Sequence, residues 1–316
     1  MGLDDNNQPQ QEPENPAAPP ASEPRPESLP LAVNPGEIAP PPGIHYSQRP
    51  YTFPRVRTFD PALPEDLRVP WGWWDLVLLV IVAIAGTFVL SMFIVAGFAL
   101  YGVSLHQLQN SMSDKNLLLI INQALLSVVL LVYLSGQMRL SFGVPFWRTI
   151  GWRPLPTGRA PGPVVYFSFI VGGFLLAILV SLGSSAIHTK TQLPIEQFFQ
   201  DRMSALLLMS LGVLLAPLLE ETVFRGYIYP VAARSFGVTG GVLFTGTIFG
   251  LLHASQLWGG WGQIALLVIV GIVFTYARAA TRTVVASYLM HVSYNSFLFL
   301  AMAIGSHGFR HFPGAS

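Results

Sequence analysis

Three short stretches hold the residues whose types and spacing could do chemistry: "LLAPLLEETVFRGYIYP" at 214–230, "FGLLHASQ" at 249–256 and "YLMHVSYNSF" at 288–297. The first ends an uncharged hydrophobic run with two adjacent carboxylates, Glu220 and Glu221, followed four residues later by Arg225. A carboxylate in a spanning helix costs about 2.5–3.5 kcal/mol even on a lenient insertion scale, so each needs a partner. Residues four apart share a helix face, which makes Glu221 and Arg225 neighbours in the favourable order, acid before base. Glu220 is rotated from Glu221 by about 100° and projects elsewhere. The polar candidates to meet it in later spans are His253, His291 and Asn295.

Spacing tests whether they can meet. If the helices carrying Glu220 and His253 form an antiparallel hairpin turning in "SFGVTGG" (235–241), the midpoint between the two falls inside that turn and they share a depth. Measured inward from Arg225, Glu220 lies about 7–8 Å deep, and His291 lies about 13–14 Å inward from Arg282, at 1.5 Å per residue. His291 and Asn295, four apart, face the same way. Taken singly, an intramembrane histidine reads as a helix-to-helix hydrogen bond worth well under ~2 kcal/mol. The Glu221–Arg225 pair reads as structural support. Taken together, a carboxylate, two imidazoles and an amide at one depth suit hydrolysis of an acyl or peptide bond without a covalent intermediate. Glu220 would act as general base toward water and His253 would orient that water, while His291 and Asn295 would donate hydrogen bonds to an oxyanion. Glu220, His253 and His291 could equally be three ligands for a divalent metal such as zinc. Against a metal stand the missing H-E-x-x-H signature and the scarcity of polar groups to orient the ligands from behind.

The elements that position these residues follow from composition. Of the chain's residues, 52% are hydrophobic and only 10% charged, which argues for an all-α polytopic membrane protein. Residues 1–70 hold 17 of the 26 prolines and ten of the 16 acidic residues, and are expected to form a disordered tail. Uncharged stretches at 76–101, 117–138 and 164–187 each suffice to cross a bilayer. A fourth span begins near Met203, runs through the Glu pair with a kink near Pro217, and reaches about Arg234. The "LWGGWG" turn at 257–262 splits the next region into two spans, and a seventh covers 283–303. Twelve of sixteen flanking basic residues fall on one side, which predicts a cytoplasmic N-terminus and an external C-terminus in the cell membrane. Trp71, Trp73 and Trp74 suit an interfacial belt. Gly246, Gly250 and the small residues of "SLGSS" suit close helix packing, and His106, His188, His307 and His311 fall in loops. No cysteine is present, and no internal repeat supports a transporter.

"EETVFR", "FGLLH" and "HVSYN" resemble, in order, the E-E-x-x-x-R, F-x-x-x-H and H-x-x-x-N motifs of the CAAX-processing endopeptidase and bacteriocin-processing family, also called the CPBP or ABI family of intramembrane proteases. The resemblance covers about 165–305. It implies a protease core at 164–305, preceded by a transmembrane region at 71–163 and followed by a short tail at 306–316. It also implies a conical cavity open to the cytoplasm, a peptide or protein substrate, and water activated at the first Glu of the pair. Carried over, Glu220 is the base, His253 its partner, His291 and Asn295 the oxyanion donors, and Glu221 and Arg225 the support. The cofactor is left open between none and one divalent metal. Prenylated substrates follow by analogy alone, and no nucleic-acid partner is expected. A non-catalytic scaffold or immunity-type protein of the same fold is the alternative.

Overall fold

The computed structural model describes residues 62–104, 106, 111–187, 194–199 and 202–309. Most of the expected tail, and with it His188, Lys190, Arg310 and His311, lies outside the described residues. Every regular element among those described is a helix. The elements are α1 (Trp73–Leu100), α2 (Met112–Gly136), α3 (Phe146–Ile150), α4 (Gly162–Ala186), α5 (Arg202–Ser210), α6 (Ala216–Glu221), α7 (Tyr229–Leu252), α8 (Trp261–Thr281) and α9 (Val284–Gly305). Long uncharged sequences with bilayer-matched lengths have no option but to satisfy their backbone internally, which is why these stretches are helical.

Six stretches among the described residues are long and apolar enough to cross a membrane, one of them the 51-residue Arg202–Leu252. As a single rod that stretch would run about 75 Å at 1.5 Å per residue, far beyond the ~30 Å hydrocarbon core. It folds back instead at Gly237, whose φ of 73° and ψ of 168° belong to a region open essentially to glycine alone. Beyond the turn the two arms touch: the rings of Phe224 and Phe249 stand edge to face with centroids 5.1 Å apart, and Gly241 packs on the backbone of Ala233. The hairpin expected at 235–241 is therefore present, and Arg202–Leu252 runs out and back rather than as one rod.

Glycine lets the helices around the second and third motifs approach closely. A Cβ at Gly246 would sit 2.5 Å from Ile272 N, and one at Gly250 would sit 2.7 Å from Val268 N, so α7 and α8 meet backbone to backbone. Gly173 plays the same part between α4 and α9, facing Met290 O and the Ser293 hydroxyl.

The helix carrying the Glu pair is interrupted twice by wider π turns, Leu211–Leu215 and Thr222–Ile228, on either side of α6. Each precedes a proline at the start of the next α segment, Pro217 and Pro230, which cannot donate to the preceding turn. Such π turns recur at functional sites.

Residues 62–72, which the sequence reading assigned largely to the tail, pack onto the helical body. Leu67, Val69 and Trp71 are buried. Asp66 pairs with the buried Arg278 at 2.8 Å, and Glu65 pairs with Arg153 at 2.9 Å. Arg234 donates to the carbonyls of Val69 and Trp71. Trp71 is not a belt residue. It is fully buried, stacks on Tyr227 with centroids 4.9 Å apart, and donates its indole N–H to Tyr227 O. Trp74 alone of the three tryptophans is largely exposed, at 82%.

Candidate active site

Glu221 is fully buried and makes two contacts through one oxygen: Arg225 Nη1 at 2.9 Å and His291 Nδ1 at 2.8 Å. The arginine contact follows from helix spacing. The histidine contact joins residues 70 positions apart and was not foreseen, because the sequence reading satisfied Glu221 with Arg225 alone. Arg225 is itself caged. Its Nε donates to Thr275 Oγ1, its Nη2 donates to Gly271 O at 2.9 Å, and its guanidinium lies 4.4 Å from the centre of the Phe249 ring. Thr275 and Gly271, both on α8, carry no motif signal that would single them out. Arg225 therefore does not mark the membrane surface, as the depth estimate had assumed. Toward the end of this arm stands Arg234, which donates to the carbonyls of Val69 and Trp71.

Glu220 turns away from this cluster to the wall of a cavity of about 730 Å³. Its Oε1 is 4.0 Å from His253 Nε2, and its Oε2 is 3.6 Å from His291 Nε2. Those separations exceed a direct hydrogen bond and suit one shared water. Helix α7 ends at His253, and its Nδ1 stands 2.7 Å from Phe249 O. A carbonyl oxygen only accepts, so Nδ1 holds a proton there and Nε2 is the ring nitrogen that faces Glu220. His291 is oriented the same way, with Nδ1–H on Glu221 and Nε2 toward Glu220. Phe249, the aromatic of the second motif, thus serves twice: its carbonyl holds His253 and its ring covers Arg225.

Asn295 lines the same cavity and donates through Nδ2 to Gly212 O at 2.7 Å. The sequence explains why that carbonyl is available. In the π register Ala216 N–H reaches Leu211 O, so the next donor, to Gly212, would be residue 217. That residue is proline and has no N–H. The structure thus brings Glu220, His253, His291 and Asn295 to one cavity and places Glu221 with Arg225 behind it. Ser181, Ser184 and Ser185 of "SLGSS", read from sequence as packing residues, also line its wall.

A metal finds both support and resistance here. Among the described residues no three His, Asp or Glu side chains close on one point at ligand distance. Yet both imidazoles have Nδ1 engaged by an acceptor and Nε2 directed at Glu220, which is how metal-ligating histidines are held. The expected scarcity of orienting groups is thus corrected: Phe249 O and Glu221 supply them.

Residues 202–297 match the model of the Rce1-like family, described as type II CAAX prenyl endopeptidase Rce1-like. This stretch of the chain is similar to that family. This segment includes all three motifs and every side chain of the cluster just described, and it bears out the resemblance read from the motifs. With the apolar helices of a multi-pass membrane protein around it, this similarity supports a protease with a protein substrate. No curated protein and no solved structure matches the chain.

Proposed function

We propose that this protein is an intramembrane endopeptidase in which Glu220 and His253 activate a water that attacks the peptide bond directly. The observation that carries this reading is the convergence of Glu220 with Nε2 of both histidines, at 4.0 and 3.6 Å, on the wall of one cavity. A water between Glu220 and His253 meets two acceptors and donates a hydrogen to each, which leaves its lone pairs free for the carbonyl carbon. As the O–C bond forms, Glu220 takes the water's proton; as the C–N bond breaks, that proton passes to the leaving amine. Asn295 has two amide hydrogens, one fixed on Gly212 O and one for the oxyanion. His291 joins as a donor when Nε2 also carries a proton, with Glu221 opposite Nδ1 supplying the balancing charge. Glu221, Arg225 and Thr275 act by position.

A divalent metal such as zinc is the second reading, favoured by the tautomers that Phe249 O and Glu221 impose. Glu220, His253 and His291 would hold it, and it would polarise a carbonyl or activate water.

The test is Glu220→Gln and His253→Ala, each purified and reconstituted, with substrate found by trapping on Glu220→Gln in native membranes. General base catalysis contributes about 10²–10⁴-fold, so loss of at least that factor is expected with insertion and abundance unchanged. Parental turnover by either variant would defeat the assignment, and a scaffold of the same fold would retain its cellular role with Gln at 220. Elemental analysis of active protein without a His tag, with activity measured after exhaustive chelation, separates the two readings. About one zinc per chain and activity restored by zinc recasts the three residues as ligands.

A further inference from the structure

Helix α9 turns one face to the cavity. His291, Tyr294, Asn295, Leu298, Phe299 and Met302 all line it, at spacings of three and four residues that keep one side of a helix together. The polar members are His291, Tyr294 and Asn295, and two of them already have partners: His291 in Glu221 and Asn295 in Gly212 O. Tyr294 fills a position that the H-x-x-x-N motif leaves unspecified.

The Tyr294 side chain is 5% exposed and belongs to the apolar cluster that joins Ala177 of α4 with Val270 and Phe274 of α8. Its ring stands edge to face against Phe274 with centroids 5.9 Å apart, and the Phe274 and His291 rings lie 4.9 Å apart. The ring is thus fixed by packing, but the hydroxyl is not fixed by anything. Among the described residues no group donates to it or accepts from it, whereas Tyr227, also buried, donates its hydroxyl to Gln137 Oε1. A buried tyrosine hydroxyl ordinarily finds such a partner. Nor is it shut in like the hydroxyl of Tyr133: it keeps accessible surface, and the space that Tyr294 borders is the cavity.

The ring also sets which flank of the site the hydroxyl serves. Asn295 reaches Gly212 on the π turn before α6, the helix that carries Glu220. Tyr294, about 100° round α9 from Asn295, packs with α4 and α8 instead. We propose that Tyr294 is a substrate-binding residue whose hydroxyl donates to a backbone carbonyl of the bound peptide, at a peptide bond other than the one that is cut. A phenol O–H is a neutral donor and a peptide carbonyl a neutral acceptor. The inference rests on the proteolytic reading and adds to it a contact that the three motifs do not name. Such a bond is made equally in the ground state and the transition state, so it acts on KM and leaves kcat unchanged.

Tyr294→Phe removes the oxygen and keeps the ring. Because the hydroxyl has no partner in the protein, unfolding in detergent should not change. The probe is a fluorescein-labelled peptide spanning the cleavage site of the substrate recovered by trapping on Glu220→Gln. KM for that peptide should rise about 3–10-fold, the size of one neutral hydrogen bond, with kcat within about twofold of the parent. Its Kd on Glu220→Gln protein, read by fluorescence anisotropy before turnover, should rise by the same factor when Tyr294→Phe is added. Unchanged KM and Kd overturn the proposal. A loss confined to kcat overturns it too, by moving the hydroxyl to the oxyanion, and a lower unfolding midpoint with Kd unchanged makes the hydroxyl a packing group. The proteolytic reading stands or falls separately. An inactive Glu220→Gln with Kd indifferent to Tyr294→Phe keeps the protease and rejects this contact, while parental cleavage by Glu220→Gln with Kd raised by Tyr294→Phe sinks the mechanism and keeps a peptide-binding cavity.

Discussion

Glu220 and Glu221 are adjacent in sequence and opposite in circumstance. Glu221 is sealed among Arg225 and His291, whereas Glu220 keeps 23% of its side chain exposed to the cavity. A buried pair broken on one side leaves a charge without compensation, so Arg225→Ala should cost about 3–5 kcal/mol. Glu221→Gln combined with Arg225→Gln should recover part of it. A double-mutant cycle by unfolding in detergent measures this, and additivity of the two single changes would refute the coupling. Thr275→Val tests the cage from outside the motif. It removes the acceptor of Arg225 Nε and should cost about 1–3 kcal/mol, read by the same unfolding. The Glu221–Arg225 contact was legible because helix geometry fixes neighbours four apart. The bond from His291 to Glu221 was not, because nothing local in "HVSYN" says which carboxylate its Nδ1 will meet.

At the scale of elements, the site depends on how closely α7 and α8 approach and on where the Glu-bearing helix widens. A methyl at Gly250 would meet Val268 Cα at 2.8 Å, backbone that cannot move aside without the helix. Gly250→Ala should therefore displace the C-terminal turn of α7 that ends at His253, cost about 1–3 kcal/mol and reduce turnover. The same substitution at Gly97, which has nothing within 4 Å, should leave stability and turnover within error. Proteolysis assays with thermal unfolding on both variants check this, and equal behaviour of the two would reject the packing argument. The glycine pair and the 235–241 turn were readable because close packing and positive φ each demand a residue type. The two π turns were not. Proline announces a break, but a kink and a widened turn satisfy the missing N–H equally well, and only the position of Asn295 against Gly212 O shows which was used.

For the whole molecule, seven passages with the arginines at one end predict opposite signals from reporter fusions after Ser141 and after Ser316. Matching signals would mean an even number of passages. The segment before α1 is part of the body rather than an appendage, since Asp66 neutralises a buried arginine of α8. Asp66→Asn should cost about 3–5 kcal/mol in detergent, and an unchanged midpoint would show that Arg278 finds another anion. By itself, the sequence determined the helical class and the hairpin, and it named four residues that the fold brings to one cavity. Hydropathy, glycine and motif spacing are local quantities that a bilayer reads directly. It could not determine that residues 62–72 are buried, because a Pro-rich composition with few apolar residues looks the same whether or not Leu67, Val69 and Trp71 find a surface. Nor could it determine where the empty volume lies, because residues of α4, α5, α7, α8 and α9 line it together and that is decided only when those helices pack.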